Sequence, residues 1–420
     1  MIKNALCIRK EGIKMKDVKI SNDIIYIGAD DKDIDLFENQ YKVPNGISYN
    51  SYVIMDEKIA IMETIDRRKT DEWLESLEKA LNGRKPDYLI ISHLEPDHAY
   101  NIGTVIKKYP NIKLVGNSKT FAFLPQFFDI EDLEERKVEV KEGDTLELGK
   151  HKLHFIIAPM VHWPEVMMEY EETEKILFSA DGFGKFGTLD TDEDWDCEAR
   201  RYYFNIVGKY GMQVQSVLKK ASKLDIKTIC PLHGPILREN LGYYINKYDI
   251  WSKYETESEG VYIACASIHG NTLKVCEKLK EILEEKGLEK VVLADLSRED
   301  WAEAVEDSFR YGKIVFASAT YDMGIFTPMR DLLLNLKERN FGGYPQGIIF
   351  GFQVLESWLY GGKPEAHLEY GKIFDDLKKK VNEGYFENLI QEVLLENKHS
   401  CEIVLKPSKE LGKIRREKEE

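Results

Sequence analysis

The sequence predicts two domains in tandem: an α+β sandwich of sheets with helices outside, then an α/β domain built on a doubly wound parallel sheet. With 420 residues the chain is too long for one ordinary hydrophobic core. Short strands and turns dominate its first part, whereas a regular strand–helix alternation begins near residue 261. The polar residues 254–260 separate the two patterns. We therefore expect domains at 1–255 and 256–402, followed by a charged tail at 403–420.

In the first part, apolar alternation predicts strands over residues 47–55 and 58–63, joined as a hairpin at Asp56 and Glu57. Helices are expected over residues 67–81 and 101–109, the second of them after a strand at 88–92. A later series of strands is expected at 138–147, 151–158, 166–170 and 175–179.

In the second part, the pattern predicts parallel strands with helical connections. Strands are expected at 261–266, 290–296, 313–318 and 346–351. The intervening helices are expected at 272–286, 300–309 and 328–337.

Charge and cysteine content restrict the function. A formal net charge of −15 disfavours nucleic acid or an anionic membrane as a partner, because both require a basic surface. There is no apolar run long enough to span a bilayer and no secretory signal at the N-terminus, so we expect a cytoplasmic protein. The six cysteines form no Cys-x-x-Cys pair, which predicts reduced thiols and no rubredoxin-type iron site within the chain.

The strongest local signal is the segment Ser92-His93-Leu94-Glu95-Pro96-Asp97-His98, between a predicted strand and a predicted helix. If the segment is extended, His93, Glu95 and Asp97 project to the same side, and a turn at Asp97 can direct His98 toward a second ion. The alternative is an ordinary charged helix N-terminus capped by Asp97.

Three later segments each set a lone His or Asp where a turn follows a strand: His162, Asp181 and His233. Functional residues concentrate at such strand ends. Singly, each would more often be a structural turn residue, but together they follow the first motif in a recognisable order.

The order His-x-Glu-x-Asp-His, then His, Asp and His, resembles the metallo-β-lactamase superfamily, and within it the flavodiiron (A-type flavoprotein) branch. The resemblance implies a metallo-β-lactamase-like αββα sandwich followed by a flavodoxin-like domain. Hydrolytic members carry a histidine where this chain has Glu95, and a carboxylate oxygen at that position favours iron over zinc.

The resemblance further implies a di-iron centre with a bridging oxo or hydroxo group. One iron would be held by His93, Glu95 and His162, the other by Asp97, His98 and His233, with Asp181 bridging. Three carboxylates and a bridging hydroxide neutralise two divalent ions, which makes the centre inexpensive to bury.

Two loops of the second domain suggest a flavin site. Ser267, His269, Gly270, Asn271 and Thr272 lie between a strand and a helix, where backbone N–H groups can bind a phosphate; a plain turn and cap is the alternative. The second loop follows a neighbouring strand end, and its candidate residues are Ser318, Thr320, Tyr321, Asp322, Met323 and Gly324.

Both loops resemble the FMN loops of flavodoxins, with the first around the phosphate and the second around the isoalloxazine. The third loop of that family, usually Gly-Ser-aromatic-Gly-Trp, is replaced by a different sequence over residues 350–358.

The resemblance implies an oxidoreductase that reduces dioxygen to water, nitric oxide to nitrous oxide, or both, with electrons passing from FMN to the irons. It also implies a head-to-tail homodimer or a tetramer. No Gly-x-Gly-x-x-Gly segment suggests direct use of NADH, so we expect a small external electron donor such as rubredoxin. The alternatives are a metal-dependent hydrolase with a regulatory flavodoxin-like domain and an electron carrier with a degenerate metal site.

Overall fold

A computed structural model describes residues 18–338 and isolated positions between 375 and 391. The chain divides into two compact units, Met1–Pro345 and Gln346–Glu420, and the description below concerns the first. The strand expected at 346–351, the loop at 350–358 and the tail at 403–420 lie outside the described residues. The domain boundary expected after residue 255 falls inside the first unit and stays a prediction.

Fifteen short strands and eight α-helices are described between residues 18 and 255. The strands are β1 (Ile24–Tyr26), β2 (Ala29–Asp31), β3 (Leu36–Phe37), β4 (Tyr41–Lys42), β5 (Ile47–Tyr49), β6 (Tyr52–Ile54), β7 (Ala60–Met62), β8 (Tyr88–Ile90), β9 (Lys113–Gly116), β10 (Lys137–Glu139), β11 (Thr145–Glu147), β12 (Lys152–Ile157), β13 (Met167–Glu171), β14 (Ile176–Phe178) and β15 (Thr228–Cys230). The helices are α1 (Thr70–Leu81), α2 (Pro96–Ala99), α3 (Ile102–Lys108), α4 (Ser118–Phe127), α5 (Leu133–Arg136), α6 (Trp195–Tyr202), α7 (Gly211–Ala221) and α8 (Leu241–Ser252).

Two mixed sheets build the first part. One has the order β1-β6-β7-β8-β9-β10, with β7 to β10 parallel, and the other has the order β11-β12-β13-β14-β15. The expected hairpin is confirmed, since Ile54 pairs with Ala60 across β6 and β7. A single core cluster draws buried side chains from both sheets, including Met62, Ile90, Phe155, Met167 and Phe178. Burial on the facing sides supplies the driving force for the sandwich.

The second part repeats a strand–helix unit. It contains β16 (Ser258–Ala266), α9 (Asn271–Glu285), β17 (Val291–Asp295), α10 (Trp301–Arg310), β18 (Tyr311–Ser318), β19 (Thr320–Tyr321), β20 (Gly324–Ile325) and α11 (Thr327–Glu338). The parallel order β17-β16-β18 is the start of the flavodoxin-type strand order. The predicted fold class is thereby confirmed. Among the described helices, none has the length and apolar character needed to cross a bilayer.

Two expected strands are divided in the structure. Residues 47–55 were expected as one strand, but Asn50 and Ser51 separate β5 from β6, and the two strands belong to different sheets. Asn50 is buried, and its amide donates to the carbonyls of Pro231 and Gly234. Residues 138–147 likewise divide at a turn containing Gly143, which leaves β10 in one sheet and β11 in the other.

The polar stretch before β16 makes buried contacts. The carboxylate of Glu257 accepts hydrogen bonds from Arg200 at 2.8 Å and from Lys247 at 2.8 Å. Arg200 also pairs with Glu306 of α10, while Arg201 lies 3.2 Å from Glu303. These ion pairs connect α6 and α8 to α10, so residues 254–260 do not act as a free linker where they begin β16.

Candidate functional site

Four loops at one edge of the sandwich hold the seven residues expected as metal ligands. The first follows β8, the second connects β12 to β13, and the other two follow β14 and β15. The expectation of an extended first motif is only partly correct, because Pro96 starts α2 and places Asp97 and His98 on its first turn. Proline is well suited to the first helical position, since its fixed φ fits the helix and no N–H is lost.

The seven side chains form two groups of ligand atoms. One contains His93, Glu95, His162 and Asp181, and the other contains Asp97, His98 and His233. In the first group, Glu95 Oε2 lies 3.1 Å from the Nε2 atoms of both His93 and His162. In the second, Asp97 Oδ2 lies 3.2 Å from His233 Nε2 and 3.4 Å from His98 Nε2.

The carboxylate of Asp181 faces both groups at once. Its Oδ2 atom lies 3.1 Å from His162 Nε2 and 3.4 Å from His93 Nε2. Its Oδ1 atom lies 3.2 Å from His98 Nε2 and 3.7 Å from His233 Nε2. One oxygen for each group is the arrangement of a carboxylate that bridges two ions.

Buried atoms without hydrogen-bond partners provide a test of whether metals fit here. Such atoms are normally satisfied in native proteins. Among the described residues, unpartnered atoms at this place include both carboxylate oxygens of Asp97, the Nε2 atoms of His98 and His233, and Oδ1 of Asp181. Their convergence, with spacings near those between ligands on one metal, fits two divalent cations held by nitrogen and oxygen.

The charges at the site require positive charge in the centre. Burial acts to lower the pKa of His93, but the Glu165 and Glu95 carboxylates overcome this and hold it well above its usual range. Burial would raise the pKa of Asp181, yet His98 and His162 keep it well below the usual range. The raised pKa of His93 favours its protonated form in metal-free protein, and a divalent cation would displace that proton.

Outer contacts orient two of the histidines. His93 Nδ1 lies 2.9 Å from Oε1 of the buried Glu165, which also accepts the Leu94 backbone N–H at 3.0 Å. His233 Nδ1 lies 2.7 Å from the Ser48 carbonyl oxygen. Each contact places the proton on Nδ1 and leaves the Nε2 lone pair free for a metal.

Two buried glutamates accept hydrogen bonds from the first two residues of the motif that begins at Ser92. Glu63 accepts the His93 backbone N–H at 2.9 Å and that of Ser92, while Glu169 accepts the Ser92 hydroxyl at 2.9 Å. Burial raises the pKa of Glu63 to about 8 and that of Glu169 well above its usual range. The raised pKa values favour the neutral carboxyl forms, which hold the motif while adding little charge beside the metal positions.

A cleft of about 520 Å³ opens onto the centre. The residues that line it include Glu95, Asp97, Phe37, Glu38, Tyr49 and Arg67. The Glu95 and Asp97 side chains are 15% and 11% exposed, whereas those of His93, His98 and His233 are completely buried. Small molecules thus approach from the carboxylate side.

The two expected flavin loops lie at one edge of the parallel sheet. Ala266 at the end of β16 pairs with Ser318 at the end of β18, which brings the loops side by side. Gly270 precedes α9 with φ +81°, a conformation that favours glycine. The Ser267 hydroxyl is buried and has no hydrogen-bond partner, as expected of a group that contacts a phosphate.

The second loop is a hairpin that projects aromatic and apolar side chains. Thr320 and Tyr321 of β19 pair with β20 across a turn at Asp322 and Met323, both with positive φ. Tyr321 is 57% exposed and Met323 is 87% exposed. Large exposed side chains with apolar surface indicate a binding site, and a planar ring system could cover them.

Sequence reasoning missed Glu165, Glu63, Glu169 and Ser48. None belongs to a motif, and Ser48 contacts His233 through its backbone carbonyl. The single available signal was the run of charged residues within strands that are otherwise apolar, such as Glu169 in β13.

Comparison with known proteins agrees with this architecture. Residues 47–234 match the model of the ODP family beta lactamase. A nitric oxide reductase of Moorella thermoacetica is 30% identical over 373 residues, which cover 84% of this chain and 92% of that protein. A diflavin flavoprotein A 1 of Synechocystis is 33% identical over 247 residues, which cover 57% of this chain but only 43% of that longer protein.

Solved structures lead to the same group. The flavodiiron protein of Giardia intestinalis matches with a TM-score of 0.72 and 26% identity over 79% of this chain and 82% of that chain. Rubredoxin oxygen:oxidoreductase of Desulfovibrio gigas matches with a TM-score of 0.70 and 26% identity over 77% and 82%.

A lactamase-type sandwich joined to a flavodoxin-like sheet, with two ligand groups at the sandwich edge, defines a class of redox proteins rather than hydrolases. The chain belongs to the flavodiiron proteins.

Proposed function

We propose that this protein reduces dioxygen to water, nitric oxide to nitrous oxide, or both, using FMN and a di-iron centre. The observation that carries the proposal is the Asp181 carboxylate, with one oxygen toward each group of buried histidines and carboxylates. Two relatives support the two gases: one is named a nitric oxide reductase and the other a rubredoxin oxygen:oxidoreductase.

In this proposal His93, Glu95 and His162 would hold one iron and Asp97, His98 and His233 the other, and Asp181 would offer one oxygen to each. When bound, the flavin and the irons supply the electrons for reduction of the gas. The chain's contribution is to fix the imidazoles of His93 and His233 by buried contacts and to leave the cleft side open to a diatomic molecule.

For FMN, we propose that Ser267, His269, Gly270, Asn271 and Thr272 surround the phosphate. The buried, unpartnered hydroxyl of Ser267 and the N-terminus of α9 support this assignment. The isoalloxazine would contact the second loop, whose proposed residues are Ser318, Thr320, Tyr321, Asp322, Met323 and Gly324.

We further propose a cytoplasmic homodimer or tetramer that receives electrons from a small carrier such as rubredoxin. A head-to-tail dimer would let the flavin of one subunit approach the metal centre of the other. The acidic net charge favours a carrier that presents basic or neutral residues at its contact face.

Single turnover under anaerobic conditions tests the function. Two irons and one FMN can together hold four electrons, enough for complete reduction of one dioxygen. The fully reduced protein is mixed with dioxygen or with nitric oxide, and flavin oxidation is followed together with peroxide and nitrous oxide. We expect flavin oxidation with little free peroxide.

Stoichiometric peroxide that is unchanged in Glu95→Gln or His162→Gln protein would show that the flavin reacts alone. Zinc in place of iron after growth in iron-replete medium, together with hydrolysis of a thioester or lactone, would favour the hydrolase instead.

A further inference from the structure

A continuous series of oxidisable aromatic side chains begins beside the metal centre. Tyr248 Oη accepts the backbone N–H of Phe183 at 2.6 Å, and Phe183 follows Asp181 by two residues. The rings of Phe183 and Tyr248 stack at 4.2 Å between centroids. Tyr248 is 2% exposed, so it lies inside the protein next to the loop that carries the bridging carboxylate.

From Tyr248 the series continues to the surface. Tyr248 and Trp251 lie 5.5 Å apart between ring centroids, and Trp251 stacks on Trp195 at 5.8 Å. Trp195 contacts Tyr244 at 4.7 Å, and Tyr244 contacts Tyr243 at 5.5 Å. Tyr243 is 39% exposed. We call these five residues the aromatic chain.

Two members of the aromatic chain donate a hydrogen bond to a carboxylate. Trp251 Nε1 donates to Glu257 Oε2 at 2.5 Å, and Tyr243 Oη donates to Asp196 Oδ2. Lys247 lies over the Tyr243 ring at 5.3 Å from its centroid. A cation at that place opposes a positive charge on the ring, so oxidation of Tyr243 requires simultaneous loss of its proton.

Packing alone does not require these residue types. Phenylalanine fills the adjoining part of the same core, where Phe204 and Phe309 stack at 4.6 Å. Phenylalanine is not oxidised at potentials that tyrosine and tryptophan reach. At every position from Tyr248 to Tyr243, this chain has a ring that can lose an electron.

We propose that the aromatic chain conducts oxidising equivalents from the metal centre to the surface when too few electrons are available to complete a turnover. This inference rests on the proposed reduction of dioxygen. The residues of the aromatic chain, although remote from the cleft, would thus protect the ligand histidines from oxidation.

The electron balance is as follows. Trp251 gives one electron to the metal centre by way of Tyr248 and gives its ring proton to Glu257. Tyr243 then returns an electron to Trp251 by way of Tyr244 and Trp195, Glu257 returns the proton, and Tyr243 gives its own proton to Asp196. A small thiol in solution supplies one electron to Tyr243 and becomes a thiyl radical, Asp196 returns the proton to Tyr243, and the thiol proton goes to water.

The test uses full-length, iron-loaded protein with reduced irons and oxidised flavin, so that electrons run short. It is mixed with dioxygen, frozen rapidly and examined by electron paramagnetic resonance, and peptides are mapped for oxidised residues. We expect a tyrosyl or tryptophanyl radical in the wild type, and its loss in Trp251→Phe protein with more oxidation near His93 and His162. Trp73→Phe, which removes another completely buried tryptophan outside the aromatic chain, serves as the control and should keep the signal.

An identical radical in wild-type and Trp251→Phe protein, or no radical in either, would overturn the inference. Failure of the fully reduced wild type to consume dioxygen would count against the proposed function alone, because hydrogen peroxide then provides the oxidant for the same radical measurement.

Discussion

His93 Nδ1 and Glu165 Oε1 lie 2.9 Å apart, and both side chains are completely buried. Glu165 thereby fixes which nitrogen of His93 carries the proton, so that Nε2 faces Glu95 and Asp181. Outer partners of this kind typically change metal affinity about 10- to 100-fold when removed.

Glu165→Gln is expected to lower iron affinity by roughly tenfold or more, because an amide oxygen is a weaker acceptor and leaves His93 less well oriented. The measurement is a competition titration with a chromophoric chelator. Glu172→Gln is the matched control, since Glu172 also pairs with a histidine, His154, but at an exposed position. Equal iron affinities of the two variants would show that Glu165 does not orient the site.

The two aspartates of the centre should behave differently. Asp181→Ala removes an oxygen from each ligand group and should deplete both iron positions, whereas Asp97→Ala should deplete mainly the second. We expect losses of at least about tenfold in affinity. Metal analysis with Mössbauer spectroscopy distinguishes the positions, and Asp225→Ala at an exposed site is the control. A single depleted position in Asp181→Ala would contradict bridging.

Ser267→Ala should separate flavin binding from stability. Because the Ser267 hydroxyl is buried without a partner, its removal should leave the flavin-free protein as stable or more stable, by up to about 1 kcal/mol. The same change should weaken FMN binding. Fluorescence titration and thermal unfolding measure the two effects. Ser308→Ala, which breaks an existing hydrogen bond to Ala304, should instead destabilise the protein without altering FMN affinity.

A histidine remote from the metal centre should make stability depend on pH. His151 is completely buried, with Nδ1 3.0 Å from Glu171 Oε1 and Nε2 3.4 Å from Asp23 Oδ2. The hydrogen bond with Glu171 raises the pKa of His151. Burial acts to raise the pKa of Glu171, but His151 holds it below its usual range, while hydrogen bonds with Lys150 and then His151 lower that of Asp23.

A raised histidine pKa stabilises the fold below the unfolded-state pKa of about 6.5, and this stability is lost as the pH rises through the folded value. The lowered carboxyl pKa values stabilise the fold above about pH 4, and this stabilisation is lost at lower pH. His151→Gln should therefore cost most between about pH 4.5 and 6.5, on the order of 1 kcal/mol, and less at alkaline pH. Urea unfolding at several pH values measures this. A pH-independent difference would exclude the charged pair, and the half-exposed His154→Gln is the control.

The sequence was informative where function requires several reactive residues close together along the chain. The motif from His93 to His98 was identified because it holds four potential ligands within six residues, and the three later strand ends because together with it they follow the order of a known family. Glu165 escaped notice because its effect depends on a fold that brings it against His93 from a different loop. Asn50 was read as part of one strand because its buried amide, which bonds the loop carrying His233, looks in sequence like any polar strand residue.

The segment from His93 to His98 contributes atoms to both metal groups, and Asp181 shares its two oxygens between them. Binding of an ion at one position therefore holds in place side chains that the other position also uses. Occupancy of the two positions is then coupled, so that loss of one ion should weaken retention of the other. A cell short of iron would accordingly lose the remaining ion of a half-filled molecule more readily than it loses the first ion of a filled one.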